Sequence, residues 1–224
     1  SKALMQAIDK GRADMALFFN ADEGRVFVGE SGTECLFRLI RTAAMGATEG
    51  GIMVGSTLEH PATASAMSHW ADATGRPHVM ARHDDVAAVV TEDAYRAVLT
   101  PDTRVVSIVH TSPVTGFRVD VAAIVALVRS IAPEAFVIVD GIQHASHGAV
   151  DVRGLDGYAV SPYKVFSRHG YGVGWASDRL TALPKEQLKG AASDTWELGT
   201  RDAGSYATFS DMVDYLDWLG TQLG

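Results

Sequence analysis

A single cysteine, Cys35, leaves this chain without any internal disulfide. Its 224 residues hold no apolar run of membrane-spanning length, and no cleavable leader opens them. Lysine and arginine are outnumbered, 19 against 27 acidic residues, and nowhere clustered. At a net charge of -8 the chain repels a phosphate backbone or an anionic membrane surface, so neither nucleic acid nor membrane is an expected partner. A glycine-rich phosphate loop ending in lysine is absent, which removes the nucleotide-hydrolysing classes. The glycines of Gly170-Tyr171-Gly172-Val173-Gly174 precede no helix, so the dinucleotide fingerprint fails and they read as a tight turn into a strand. What remains is an acidic, 47% hydrophobic chain with enough material for a sizeable core, expected in the cytoplasm. Ser1-Lys2-Ala3-Leu4 reads like the interior of a helix, and only a short tail follows Trp218-Leu219. The expectation is therefore a portion of a longer protein.

Short β-branched runs alternate with longer stretches of helical period, the pattern of a mostly parallel sheet covered by helices. Strands are predicted over 25–28, 52–55, 77–81, 104–110, 135–140, 157–161 and 172–176. Helix 33–44 presents Leu36, Phe37, Leu39 and Ile40 on one face. Helix 121–131 follows a capping Asp120 and presents Ile124, Val125, Leu127, Val128 and Ile131. Pro61 suits the first turn of a small-residue helix over 62–73, and 202–219 forms the last helix. No repeat or linker interrupts the chain before Pro184. The reading is one α/β domain with a helical tail.

In open α/β sheets ligands bind beyond the carboxyl ends of the strands, so the polar residues there carry the chemistry. Lys164 closes Ser161-Pro162-Tyr163-Lys164 after the apolar run Gly157-Tyr158-Ala159-Val160, and Asp140 closes Phe136-Val137-Ile138-Val139. A desolvated lysine is a nucleophile toward an aldehyde, and an ionised aspartate among apolar residues needs a cation. A protonated pyridine nitrogen is such a cation, and together the pair points to pyridoxal phosphate. Each alone has a plainer reading, a solvated lysine and an aspartate bonded to nearby backbone. Ser31-Gly32-Thr33-Glu34 joins strand to helix, where free N–H groups and the helix dipole can seat a phosphate; an ordinary capped helix explains it equally. Thr57-Leu58-Glu59-His60 places His60 where its ring could lie over a flat ligand. Gln143 lies three residues past Asp140, within reach of the same ligand, and Glu197-Leu198-Gly199-Thr200 is a small turn able to offer donors to a phosphate. His144 and His147 with Asp140 form a rival zinc set. It ranks lower because these histidines follow a strand directly and enclose no activating glutamate, so no metal is expected. Cys35, on the apolar side of its helix, reads as an inert buried thiol.

Taken in order, SGTE at 31–34, STLEH at 56–60, HTSPVTG at 110–116, VDGIQHASH at 139–147, VDV at 150–152, SPYK at 161–164 and ELGT at 197–200 resemble the class V aminotransferase family. That family belongs to the fold-type I pyridoxal-phosphate enzymes, and the likeness is greatest to its cysteine desulfurase and selenocysteine lyase-like branch. The resemblance implies the large-domain fold of these enzymes, three layers α/β/α around a mostly parallel seven-stranded sheet. It implies that Lys164 carries the cofactor as a Schiff base, that Asp140 pairs with the ring nitrogen, that His60 stacks on the ring and that Gln143 contacts its hydroxyl. Phosphate contacts are implied from Gly32, Thr33, Ser161 and Tyr163. Gly199 and Thr200 match a turn that reaches the phosphate of a neighbouring subunit, which implies a homodimer with shared sites. Two positions depart: Tyr163 stands where many relatives carry histidine, and Pro113 where desulfurases carry asparagine, with Ser112 beside it. Relatives also continue into a small C-terminal domain holding a carboxylate-gripping arginine and, in desulfurases, a sulfur-accepting cysteine.

The expected activity is thus that of a pyridoxal-phosphate enzyme acting on an amino acid, with carbon–sulfur or carbon–selenium bond cleavage first and transamination second. A zinc hydrolase and a cofactor-binding domain without turnover remain as further readings of the residues.

Overall fold

The computed structural model describes residues 1–223. Seven helices and seven strands follow in the order α1 (Lys2–Phe19), β1 (Arg25–Gly29), α2 (Gly32–Gly46), β2 (Ile52–Ser56), α3 (Pro61–Thr74), β3 (His78–Ala81), α4 (Glu92–Arg96), β4 (Thr103–Val109), α5 (Val121–Ile131), β5 (Phe136–Asp140), β6 (Gly157–Val160), β7 (Gly172–Ala176), α6 (Asp178–Thr181) and α7 (Ala203–Leu223). The strands form one sheet in the order β1-β7-β6-β5-β4-β2-β3. β7 runs antiparallel to both neighbours, and the remaining pairs are parallel.

Side-chain alternation explains how the sheet acquires two dry faces. On β5, Phe136 and Ile138 pack with Leu36, Leu39 and Ile40 of α2 and with Ala66 and Met67 of α3. Val137 and Val139 point the other way, into a core shared with Met15 and Phe19 of α1, Leu127 of α5 and Phe209 of α7. The same period of two directs Asp140 to the α2–α3 face. Each fully buried leucine or isoleucine there contributes about 1.5–3 kcal/mol, so a Leu39→Ala cavity would cost about 2–5 kcal/mol.

Helix starts follow the capping rules. Ser31 accepts from Glu34 N at the head of α2, Asp120 from Ala123 N at the head of α5, and His60 from Ala62 N ahead of Pro61 in α3. The predicted strands all appear, displaced by at most a residue at either end, because β-branched runs bounded by turns leave little latitude. One expectation needs correction. The last helix is no appendage: Tyr206, Phe209, Met212 and Val213 are buried, and α7 packs along α1. The approach is close enough that a Cβ on Gly11 would stand 2.5 Å from that of Tyr206. Phe18 of α1 meets Phe209 edge to face at 5.4 Å.

Candidate active site

Strands β4 and β5 pair in parallel with Val109 beside Asp140, so both strands end at the same level. β6 ends one step away and leads through Ser161 into a single turn of 3-10 helix, Pro162–Lys164. Pro162 pre-sets that turn, and Lys164 N donates to Ser161 O at 2.9 Å, which returns the lysine toward Asp140. Lys164, Asp140, His60, Gln143, Thr111 and Pro113 consequently border one narrow cleft. A roomier groove of about 580 Å³ runs past Arg118 and Val121 of the α5 region, but neither Lys164 nor Asp140 borders it. The small cleft is the better site because the chemistry converges there.

Asp140 is 2% exposed. Thr63 of α3 donates its hydroxyl to Oδ2 at 2.7 Å, and Ile142 N donates to Oδ1 at 3.0 Å. Burial pushes the carboxyl above its ordinary value, against the pull of those two donors and the weaker fields of His60 and Lys164. Among the described residues no arginine reaches it. A carboxylate held this way retains unfilled acceptor positions and a need for positive charge. Lys164 Nζ donates to Gln143 Oε1 at 3.0 Å, so the two side chains span the cleft. The His60 ring borders it from the head of α3, fixed by its capping bond from Ala62 N at 3.1 Å.

The SGTE turn lies beside this cleft, next to Ile142 and Ser161, and its capped-helix reading holds. Ser31 Oγ caps α2 through Glu34 N at 3.1 Å, while the first-turn N–H groups of Gly32 and Thr33 have no intrahelical acceptor. Gly32 is needed here: an added Cβ would stand 2.4 Å from Ser161 Oγ. Ser161 is buried against that turn, so one hydroxyl and two N–H groups share a corner. Tyr163 stands apart, 41% exposed and stacked on His169 at 4.1 Å. Gly199 and Thr200 are exposed and do not border the cleft; Glu197 of the same turn is tied to Arg12 and Tyr206. His144 is not positioned as a metal ligand. Its Nδ1 meets Thr111 Oγ1 at 2.9 Å, its ring stacks on His110 at 3.4 Å, and among the described residues no metal-holding group of three His, Cys, Asp or Glu occurs. Cys35 is fully buried, and burial drives its thiol pKa far up, as an inert thiol requires.

Sequence reasoning missed Thr63, the buried donor to Asp140, although its place three residues after the His60 cap put it in the first turn facing the strand ends. It also missed the stacked His110–His144 pair. Pyridoxal phosphate requires an amine, an anion for the ring nitrogen and a seat for its phosphate. Lys164, the buried Asp140 with its two donors and the Gly32–Ser161 corner are groups of those kinds, and the residues present fit the cofactor.

The class V aminotransferase profile matches residues 1–209. The chain is 34% identical over 182 residues to a cysteine desulfurase-like protein, ustD, of Aspergillus flavus, covering 75% of this chain and 40% of that one. It is 29% identical to a probable cysteine desulfurase of Vibrio cholerae, covering 77% and 43%. Among solved structures, the cysteine desulfurase CsdA of Escherichia coli superposes with a TM-score of 0.84 at 22% identity, over 96% of this chain and 58% of that one. This likeness establishes the fold. The chain thus spans less than half the length of these two sequence relatives. With the profile covering nearly all of its residues, the chain belongs to the class V aminotransferase family, whose enzymes depend on pyridoxal 5'-phosphate.

Proposed function

We propose that Lys164 carries pyridoxal 5'-phosphate and that the protein acts on an amino acid, cleaving a carbon–sulfur or carbon–selenium bond in the manner of a cysteine desulfurase. The observation that carries this reading is the cleft bordered at once by Lys164, Asp140 and His60, with Asp140 buried and without a cationic partner. When bound, the cofactor supplies an electron sink for the α-carbon of the substrate. Asp140 keeps the proton on the ring nitrogen, and Thr63 and Ile142 N hold its oxygens in line. His60 would cover one face of the ring, and Gln143, which accepts from Lys164 Nζ, would be the partner for the ring hydroxyl. The N–H groups of Gly32 and Thr33 with the hydroxyl of Ser161 would take the phosphate, and Tyr163, turned outward onto His169, would have to swing inward to join them. Lys164, which borders the cleft, would be the group placed to take a proton from the α-carbon of a bound amino acid.

In this reading residues 1–224 are the cofactor-binding domain, and the substrate-carboxylate and sulfur-accepting groups belong to other parts of a longer enzyme. In the same reading Gly199 and Thr200, exposed and not bordering their own cleft, serve the site of a second copy, and the enzyme is cytoplasmic. Pro113 favours a second reading, transamination: it borders the cleft and offers no hydrogen bond to a leaving sulfur. Borohydride reduction of the protein loaded with pyridoxal phosphate, followed by peptide mass mapping, tests the assignment. The label is expected on Lys164, and Lys164→Ala is expected to take none; a label on another lysine overturns it. Sulfide release from cysteine, against amino transfer to a keto acid, separates the two reactions.

A further inference from the structure

On the face of the sheet opposite Asp140, the groove of about 580 Å³ runs between the loop after β4, the head of α5 and the segment before β6. Its volume suits a small-molecule ligand. His110, the residue after β4, borders it and is 7% exposed. The hydroxyl of the buried Tyr158 has His110 Nδ1 as its one partner among the described residues, at 2.8 Å. A buried hydroxyl without an acceptor is costly, so Tyr158 donates and Nδ1 accepts. The ring proton of a neutral His110 therefore stands on Nε2, where no protein group among the described residues takes it. Burial, then the neighbouring His144 and Arg118, push this imidazole down to about 3, which keeps it neutral. The stacked His144 has no donor to spare: its Nε2–H donates to Ala149 O at 3.3 Å and its Nδ1 accepts from Thr111 Oγ1 at 2.9 Å.

Arg118 supplies a second donor. An isolated bridge pairs its backbone with Thr111, and Val119 N donates to His110 O at 2.9 Å, so the guanidinium is held beside the two rings. A Cβ on Gly148 would stand 2.8 Å from His144 Cε1 and 3.7 Å from Arg118 Nη1, and the missing side chain leaves that space clear. Among the described residues Arg118 is the one arginine with neither an ion pair nor a side-chain hydrogen bond. The acids along the groove are already engaged. Asp120 accepts from Ala123 N, and Asp151 accepts from Arg153 Nε and Nη2. Val121, Val125 and Leu155 add apolar walls.

We propose that this groove binds a small aliphatic monocarboxylate, its carboxylate held by the Arg118 guanidinium and His110 Nε2–H and its carbon chain laid against Val121, Val125 and Leu155. A guanidinium and a ring N–H match the two oxygens of one carboxylate. A phosphate dianion fits less well, because Asp120 and Asp151 set two negative charges along the same groove. Neither donor borders the cofactor cleft, so the site does not depend on the assignment of Lys164.

Titration of isotope-labelled protein with sodium hexanoate, followed by proton–nitrogen correlation spectra, tests the site. Sodium chloride at equal ionic strength, hexanol and inorganic phosphate are the comparisons. Hexanoate should shift the amides of residues 118–125 and 149–155 and bind at least about tenfold more tightly than hexanol or phosphate. Shortening it to butanoate should weaken binding by up to about fourfold for each CH₂ removed. Arg118→Gln, at an exposed position, should weaken hexanoate by about tenfold or more and leave hexanol unchanged. Imidazole correlations should show the His110 proton on Nε2 and a displacement of that nitrogen by hexanoate. A His110 proton on Nδ1, equal binding of hexanoate and either hexanol or phosphate, or undiminished binding by Arg118→Gln would each overturn the proposal. So would shifts that chloride alone reproduces, or no binding at all.

Discussion

Asp140 and Asp156 sit at opposite ends of neighbouring strands, both 2% exposed, and their surroundings differ in kind. Asp156, before β6, accepts from Arg129 Nη2 at 2.9 Å, from Arg179 Nε at 3.0 Å and Nη2 at 2.9 Å, from Ser177 Oγ at 3.2 Å and from Val137 N at 2.9 Å. Every acceptor position is filled, and two guanidinium groups balance the charge. Asp140, the last residue of β5, has among the described residues one hydroxyl, one N–H and no guanidinium. The first is how a fold seals a buried carboxylate for stability. The second, under the proposed function, leaves the carboxylate for the cofactor. Burial alone does not separate the two; the partner count and the partner charge do.

Breaking Asp156 gives the largest expected effect. Asp156→Ala leaves two partly buried arginines without their anion and should cost about 3–5 kcal/mol in urea unfolding, with no loss of cofactor by the molecules that stay folded. Asp140→Asn should reverse that division. It removes a buried charge at nearly constant shape, so unfolding should change by less than about 1 kcal/mol. Affinity for pyridoxal phosphate, followed by its visible absorption, should fall by about 2–5 kcal/mol with the loss of the ring-nitrogen partner. Were the two variants to behave alike, the contrast between sealed and open carboxylates would be wrong.

Thr63→Val sharpens the comparison by withdrawing one of the two donors that Asp140 has. A hydrogen bond to a charged group contributes about 1.5–3 kcal/mol, and its loss drives the carboxyl pKa further up. Because Asp140 already titrates above its ordinary value of 3.8, the parent should lose cofactor on the acid side as that carboxyl protonates. The variant should lose it at a higher pH, read from the absorbance of pyridoxal phosphate in an acid titration. Gly32→Ala should have the smallest effect. Its Cβ would meet Ser161 Oγ at 2.4 Å and Ile142 Cδ1 at 2.8 Å, an overpacking cost of about 1–3 kcal/mol. Inorganic phosphate, competing with the cofactor for the corner, should lose affinity in this variant if the corner is the phosphate seat.

Much of this arrangement was legible in the sequence. β7 and α5 have the predicted limits, and β5 falls within a residue of its prediction, because alternation and capping are local signals. Asp140 and Lys164 were legible because polar residues that end apolar runs must stand at the carboxyl edge of a parallel sheet. Thr63 was not, since it sits in a helix of small residues and meets Asp140 only across 77 positions of chain. The burial of Glu59 was hidden for a similar reason: nothing in Thr57-Leu58-Glu59-His60 shows that Gly55 and Ser107 make room for it. The outward turn of Tyr163 depends on His169, and the packing of α7 depends on α1. Periodicity reports which face of an element is apolar, and it is silent on what that face will meet.

That last contact has a kinetic consequence. Arg12 and Tyr206, which touch across the α1–α7 seam, are 194 positions apart. A chain leaving the ribosome therefore makes α1 well before α7 and must carry Met15 and Phe19 uncovered until nearly all of the sheet has been synthesised. Loop-closure entropy grows only slowly with length, so the seam is affordable at equilibrium, yet joining such distant segments lowers the folding rate. The apolar stripe of α1 is then the surface most exposed to aggregation during synthesis and the one a chaperone would have most reason to shield.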